Sequence, residues 1–317
     1  MNMKGIKMDW NNRLIKFLTK TQENMWNTIY NYNNKKYTKY SKLGKYVYYK
    51  SHHTGLRPLI LCHIDTCNEG GVDVNDILIS DNNRIQLKDK SSSKYTCLGG
   101  DDRVGVAIAL TLLEYDNKAD FVFLCDEEIG GIGAKEFSYS EYVEDNEWSF
   151  LLEIDRKGTN HIASYGYDND ELEKILGLPV ERGSYTDLCD VSEVCGIAGY
   201  NIACGYYNQH TTSETVNIKQ AINCFNQVES YINHKLLNLS TYLCISKKKY
   251  TKYSSKSVSE YSYLDTYTSY DDEDYQYCTW CGELHPKKDI LKYGICKECL
   301  KEDEKYIDDY YKDLGNE

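Results

Sequence analysis

Three short apolar segments, each followed by metal-binding residue types, restrict the fold of this chain more than any other feature of its sequence. They are residues 58–62 (PLILC) before His63, residues 121–125 (FVFLC) before the acidic residues 126–128, and residues 150–154 (FLLEI) before Asp155. Apolar runs of this length, bounded by polar residues, are typical of buried strands. The chain is therefore expected to contain a sheet that is covered on both faces.

Helical patterns separate these strands. An apolar-faced helix is predicted at 104–113, further strands at 45–50 and 197–204, an amphipathic helix at 9–31 and a long helix at 215–237. Strands that alternate with helices predict a three-layer α/β fold with a mainly parallel central sheet flanked by helices. Sites in such sheets form beyond the carboxyl ends of the strands, so residues far apart in sequence are expected to converge there.

The polar residues at these strand ends fit a metal site. His63 and Asp65 alternate along an extended segment and share a face, which places Asp65 where it can orient the His63 ring. The adjacent carboxylates at 126–128 repel one another unless cations neutralise them. Each motif alone has an ordinary explanation: a structural histidine, a solvated loop, or a helix cap at Asp101. Their joint placement at strand ends is what favours a metal site.

Six motifs follow one another along the chain: PLILCHIDT, LGGDDRVGVAIAL, FLCDEEIGGIGA, LEIDR, SYTD and GYYNQHTTSE. Over residues 55–235 they resemble the co-catalytic zinc exopeptidase superfamily. That superfamily includes peptidase T, deblocking aminopeptidases, single-domain leucyl-type aminopeptidases and acylamino-acid deacylases. The resemblance implies a hydrolase with two catalytic zinc ions, for which cobalt or manganese could substitute.

The resemblance also implies roles for individual residues. His63 and Asp155 would bind the first ion, Glu128 and His210 the second, and Asp101 would bridge both. Glu127 would act as the general base and Asp65 would orient His63. Asp187 in SYTD lies where relatives have an aspartate that lines the site.

Many relatives contain an inserted lid or dimerisation domain. Here 31 residues separate Asp155 from Asp187, and 35 separate Asp65 from Asp101, and both stretches are too short for such an insert. The predicted organisation is a catalytic domain at 1–242 and a low-complexity linker at 243–277 rich in Tyr, Ser, Lys and Asp. A zinc-binding module follows at 278–300 and an acidic tail helix at 301–317.

Four cysteines define the predicted module. Cys278 and Cys281 form one Cys-x2-Cys pair, Cys296 and Cys299 form another, and 14 residues separate the pairs. This spacing indicates a zinc-ribbon-like module with one structural zinc, with His285 as an alternative ligand. A segment this short depends on the metal to fold. We expect it to dock a protein partner or the catalytic domain, since the neighbouring acidic runs disfavour nucleic acid.

Charge and cysteine content restrict location and partners. The formal net charge of −12 disfavours binding to nucleic acid or to membrane headgroups. The N-terminus has no apolar stretch typical of a signal peptide, and thirteen cysteines without one indicate reduced thiols and a cytoplasmic protein. Cys62, Cys67 and Cys125, which lie close to the predicted ligands, are interpreted as small packing residues.

The sequence therefore predicts a zinc-dependent amide hydrolase acting on short peptides, most simply an aminopeptidase. Two other hypotheses remain open at this point. The same site could hydrolyse N-acyl amino acids, or the fold could be an inactive adaptor that recruits a partner through the four-cysteine module.

Overall fold

The computed structural model describes residues 8–68, 70–115, 118–235, 242–245, 275–277, 284–289 and 297. Contacts within the chain divide it into two units, Met1–Lys248 and Lys249–Glu317. Several predicted features lie outside the described residues: most of the linker, the tail helix at 301–317, and Cys278, Cys281, Cys296 and Cys299.

The described part of the first unit contains twelve strands and eight α-helices. The strands are β1 (Tyr37–Lys42), β2 (Tyr46–Ser51), β3 (Arg57–His63), β4 (Ile77–Ile79), β5 (Arg84–Leu87), β6 (Asp120–Leu124), β7 (Trp148–Arg156), β8 (Ile162–Ser164), β9 (Val180–Arg182), β10 (Gly199–Ala203), β11 (Tyr206–Tyr207) and β12 (Thr215–Asn217). The helices are α1 (Trp10–Leu18), α2 (Gln22–Tyr30), α3 (Gly100–Glu114), α4 (Ile132–Ser138), α5 (Glu141–Glu144), α6 (Asp170–Leu176), α7 (Asp187–Cys195) and α8 (Ile218–Ser230).

Eight strands form the central sheet, in the order β1-β2-β6-β3-β7-β10-β8-β9. The four middle strands β6, β3, β7 and β10 are mutually parallel, and antiparallel pairs lie toward both edges. Every residue of β3 and β6 is buried, as the continuous apolar runs predict for strands covered on both faces. The expected large, mostly parallel sheet is confirmed.

Alternate side chains of β3 enter different cores. Ile60 and Cys62 pack in a core that includes apolar residues of α1, α2, α3 and α8. Leu59 and Leu61 pack in a second core with residues of α4, α5 and α7. Because successive side chains of a strand point to opposite faces, helices flank the sheet on both sides.

The prediction of one continuous helix at 9–31 is wrong, because the structure has two helices there. Helix α1 ends at Leu18, and α2 begins at Gln22, where the Thr21 hydroxyl accepts a hydrogen bond from the amide of Asn24 at 3.1 Å. At the end of α1, the Leu18 carbonyl accepts a hydrogen bond from the amide of Val72 at 3.1 Å. Apolar spacing is preserved across this break, so periodicity alone could not reveal it.

The predicted helix at 215–237 begins three residues late. Residues Thr215–Asn217 form β12 and pair with β5 in a four-stranded sheet of order β11-β12-β5-β4. The Asn217 side chain then caps α8 by accepting from the amide of Gln220 at 3.3 Å, and α8 continues as a π-helical turn, Tyr231–Lys235. The small sheet brings the segment before β12 toward the start of α3.

In the second unit, β13 (Tyr275–Tyr277) pairs antiparallel with β14 (Leu284–Pro286), and His285 lies opposite Gln276. A 3₁₀ turn at Lys287–Asp289 follows, and Lys297 contacts Asp289 at 2.8 Å. Among the described residues of the chain, no helix is both long and apolar enough to cross a membrane.

Candidate metal centre

The predicted site residues lie at one edge of the central sheet. His63 is the last residue of β3, Asp155 is the penultimate residue of β7, and Glu127 and Glu128 follow β6. These three strands are adjacent and parallel, so their carboxyl ends meet at this edge. Asp101 lies at the start of α3 and faces the same edge.

A first group of side chains surrounds His63. Its Nε2 atom lies 3.1 Å from Oδ1 of Asp101 and 3.5 Å from Oδ1 of Asp155. All three residues are buried, and one ligand atom from each lies within 4.8 Å of the others. One imidazole and two carboxylates in this arrangement could hold a metal ion.

A second group lies on the other side of Asp101. Nε2 of His210 lies 3.0 Å from Oε2 of Glu128 and 3.3 Å from Oδ2 of Asp101. The two carboxylate oxygens of Asp101 therefore face different pairs of residues. His210 reaches the group from a loop, where it has a φ of 60° and a side chain that is 47% exposed.

These separations fit coordination of divalent ions. Two ligand atoms about 2.1 Å from one ion in a tetrahedral arrangement lie about 3.4 Å apart. The four distances above range from 3.0 to 3.5 Å. In addition, Oε1 of Glu128 is buried without a hydrogen-bond partner among the described residues. Imidazole nitrogen and carboxylate oxygen are ligands that suit zinc.

The centre contains more acidic groups than its two histidines can neutralise. Burial, reinforced by the charge of Asp101, raises the pKa of Asp155 to about 7. Burial also raises the pKa of Glu127 to about 8, with the charges of Asp155 and Asp101 adding to the effect. Burial opposes ionisation of Asp101 as well, yet hydrogen bonds from His210 and His63 hold its pKa well below its usual range. Bound dications would relieve the remaining repulsion.

Asp65 connects His63 to the loop after β6. Its Oδ1 lies 3.5 Å from Nδ1 of His63, and the same ring nitrogen lies 3.1 Å from the Asp65 carbonyl oxygen. The Asp65 carboxylate also accepts hydrogen bonds from the amides of Glu127 at 3.2 Å and Glu128 at 3.1 Å. Asp65 thus orients the imidazole and also positions both glutamates, a second task that the sequence did not indicate.

Glu214, absent from the predicted set, fixes the loop that presents Asp101. Its buried carboxylate accepts from the amide of Gly99 at 2.7 Å and from the amide of Asp101 at 3.0 Å. A side chain at Gly100 would meet Val216 at 2.7 Å and Glu214 at 3.0 Å, so the tight loop requires glycine there. Glu214 directly precedes β12, which explains how it reaches α3.

Asp155 is held by two residues that the sequence also did not single out. The side-chain amide of Asn201, on the neighbouring strand β10, accepts from the Asp155 amide at 2.8 Å and donates to its carbonyl at 2.9 Å. The hydroxyl of Tyr206 lies 3.1 Å from Oδ1 of Asp155. Both residues are buried and fix the backbone and the carboxylate of Asp155.

Asp187 begins α7 and is completely buried. Neither of its carboxylate oxygens has a hydrogen-bond partner among the described residues. Burial, and then the charges of Glu127 and Glu153, raise its pKa well above the usual range. Asp187 is thus close enough to Glu127 for their charges to interact.

We expect the metal-free protein to lose thermal stability as the pH rises from about 5 to about 8. Burial raises the pKa of Glu214 to about 8, and Asp155 titrates near 7 in the folded chain. In the unfolded chain both titrate at about 4. The folded state keeps protons that the unfolded state has released over this range, so rising pH favours unfolding. Melting temperatures measured in a chelator at several pH values test this.

Excess zinc at the alkaline end of the series is the control. It should raise the melting temperature, because an ion that binds only the folded state stabilises it. Asp101 does not disturb the comparison, since its lowered pKa affects stability only below about pH 4. A melting temperature that climbs steadily from acid to neutral pH in chelator would contradict the raised pKa values of Asp155 and Glu214.

No protein-family model matches the chain, and no curated protein matches it by sequence. Solved structures do match. Aminopeptidase PepT from Bacillus cereus has a TM-score of 0.53 and 13% identity, with 70% of this chain and 97% of that chain covered. A tripeptidase from Staphylococcus aureus has a TM-score of 0.51 and 14% identity, with 70% and 96% covered.

The TET1 peptidase from Pyrococcus horikoshii, which can assemble into a tetrahedron or a large octahedral shell, has a TM-score of 0.50 and 13% identity. The match covers 71% of this chain and 99% of that chain. At these identities the similarity concerns the fold, which this chain shares with the three peptidases.

Proposed function

We propose that the chain is a metal-dependent exopeptidase that acts on short peptides. The observation that supports this best is the orientation of Asp101, whose two carboxylate oxygens face His63 and His210 respectively. A carboxylate between two ligand groups is suited to bridging two ions. The fold shared with peptidases supports peptide hydrolysis as the reaction.

In this proposal His63 and Asp155 would hold the first ion, and Glu128 and His210 would hold the second. Asp101 would be a ligand shared by both. When bound, such ions would make an attacking water more acidic and would polarise the scissile carbonyl. Asn201 and Glu214 keep the backbones of Asp155 and Asp101 in place through the hydrogen bonds described above.

Glu127 accepts the proton of the attacking water and passes it to the leaving amine. Its backbone is fixed by the Asp65 carboxylate, so its position relative to His63 does not depend on a mobile loop. In the metal-free protein, burial raises the pKa of Glu127 to about 8. Nearby cations would favour its ionised form before the proton is transferred.

The substrate class is tested by comparing short peptides with N-acyl amino acids. We expect release of a terminal residue from di- and tripeptides, loss of this activity after chelation, and recovery when zinc or cobalt is added back. Mass spectrometry of a peptide mixture identifies the residue released. Hydrolysis confined to acyl amino acids would overturn the peptidase assignment while leaving the metal centre in place.

Metal analysis separates an enzyme from an adaptor. We expect about three zinc ions per chain, two at the proposed centre and one at the predicted Cys278, Cys281, Cys296 and Cys299 module. The comparison is a His63→Ala variant, which should lose zinc only from the centre. A wild-type chain that binds a single ion, unaffected by this substitution, would favour the adaptor.

A further inference from the structure

Cys67 does not occupy the packing position expected from the sequence. It lies on the turn after β3, and its side chain is exposed. The turn is held from both sides: the Thr66 hydroxyl donates to the Asn68 carbonyl at 3.0 Å, and the Thr96 hydroxyl donates to the Cys67 carbonyl at 2.7 Å. These two hydrogen bonds fix the backbone on either side of the Cys67 side chain.

The thiol faces the second half of the centre. Sγ of Cys67, a carboxylate oxygen of Glu128 and a ring nitrogen of His210 all lie within 4.8 Å of one another. The Glu128 side chain is only 10% exposed, and its Oε1 atom is buried without a hydrogen-bond partner among the described residues. A buried carboxylate oxygen, a thiol and an imidazole this close together form a donor set that would suit a divalent cation.

We propose that Cys67 supplies a thiolate ligand to the second ion, which makes this position selective for thiophilic ions such as zinc, cobalt and cadmium over manganese and magnesium. This inference rests on the two-ion centre of the proposed function. It adds a sulfur ligand to Glu128, His210 and the bridging Asp101. The resemblance described above does not assign any role to this cysteine.

Binding of the ion would convert the Cys67 thiol to a thiolate. The thiol of Cys67 loses its proton to the buffer as the sulfur–metal bond forms, so the bound form is a thiolate. Thiolate is a soft ligand that favours zinc and similar ions, whereas carboxylate and water suit magnesium and manganese. Zinc accepts four ligands and can expand to five, which leaves room for water or substrate.

Cobalt absorption tests for the sulfur ligand in the full chain. A Cys67→Ser variant keeps the size of the side chain and removes the sulfur. The predicted four-cysteine module also contributes thiolate-to-cobalt bands, so the readout is the difference spectrum of wild type minus variant. We expect a thiolate-to-cobalt band in this difference. A Cys244→Ser variant, which removes an exposed cysteine outside the centre, should give a flat difference spectrum.

Metal preference provides a second readout. We expect Cys67→Ser to weaken cadmium binding at the centre by at least about 10-fold, the lower end of the loss seen when even an outer partner of a ligand is removed. Cys67→Asp substitutes a hard ligand and should shift the cadmium-to-manganese affinity ratio toward manganese. Equal affinity ratios in wild type and in both variants would overturn the inference.

The failure of this inference can be told apart from failure of the proposed function. If the wild-type chain binds two ions at the centre and hydrolyses peptides, but the cobalt difference spectrum is flat, only the sulfur ligand is refuted. If the Asp101→Ala variant binds as many ions as the wild-type chain, the two-ion centre and the sulfur ligand are both refuted.

Discussion

Replacing Glu127 with glutamine should lower peptide turnover by about 10²–10⁴-fold while both ions stay bound. Glutamine has nearly the same shape as glutamate but cannot accept the proton of the attacking water. The backbone hydrogen bond from Glu127 to Asp65 is retained, because it uses the amide of residue 127 and not its side chain. The turnover number and the metal content of the purified variant, measured on one preparation, test both parts.

Asp126→Asn is the matched control for this substitution. It removes the neighbouring carboxylate, which contacts Lys45 at 3.3 Å. We expect a change of at most a few-fold in turnover, within the range of a surface ion pair. Wild-type turnover in the Glu127→Gln variant would contradict the general-base assignment, and loss of metal in that variant would mean that residue 127 contributes to binding the ions.

The parts of this molecule that could be predicted are those set by local sequence. Residues 58–62 and 121–125 are apolar throughout, which specifies strands buried on both faces, and β3 and β6 are buried at every position. The polar residues that follow them must then lie at one edge of the sheet. For this reason His63 and Glu128 could be assigned to one centre although 64 positions separate them in the chain.

The supporting residues could not be predicted, because their partners are distant and their types are ordinary. Glu214 reaches the amide of Asp101 across 113 positions, and it does so because Thr215–Asn217 form a strand where a helix was expected. Asn201 is interior to the buried strand β10 (GYNIA), with no motif around it. Such contacts depend on strand order, which the sequence pattern does not encode.

Cys67 shows a related limit of reading the sequence. Its neighbours Cys62 and Cys125 are buried, as expected of packing cysteines, and nothing in the residue types distinguishes it from them. Its different environment arises because β3 ends at His63 and burial continues only to Thr66, so Cys67 is the first exposed residue after the strand. The position of one residue relative to a strand end thus changes a packing group into a candidate ligand.

Substituting Asp101 with alanine should remove both ions from the centre and abolish peptide hydrolysis. Each of its oxygens faces a different histidine, at 3.1 and 3.3 Å, so neither ion would keep its full set of ligands. The loss of turnover should exceed the ~10²–10⁴-fold expected for Glu127→Gln, because the general base alone accounts for only part of the rate. Metal content after dialysis, measured by elemental mass spectrometry, should fall by about two ions per chain.

Two further variants distinguish the loss of a ligand from a disturbance of the loop that presents Asp101. His210→Ala removes a ligand from only the second group and should cost about one ion, whereas Glu214→Gln leaves all proposed ligands in place and disturbs only the loop that presents Asp101. We expect the latter to weaken metal binding by about 10- to 100-fold without changing the stoichiometry at saturating zinc. If Asp101→Ala and His210→Ala each lose the same single ion, Asp101 does not bridge. Asp101 would then be a ligand of the second ion alone, and the first ion would be held near His63 without it.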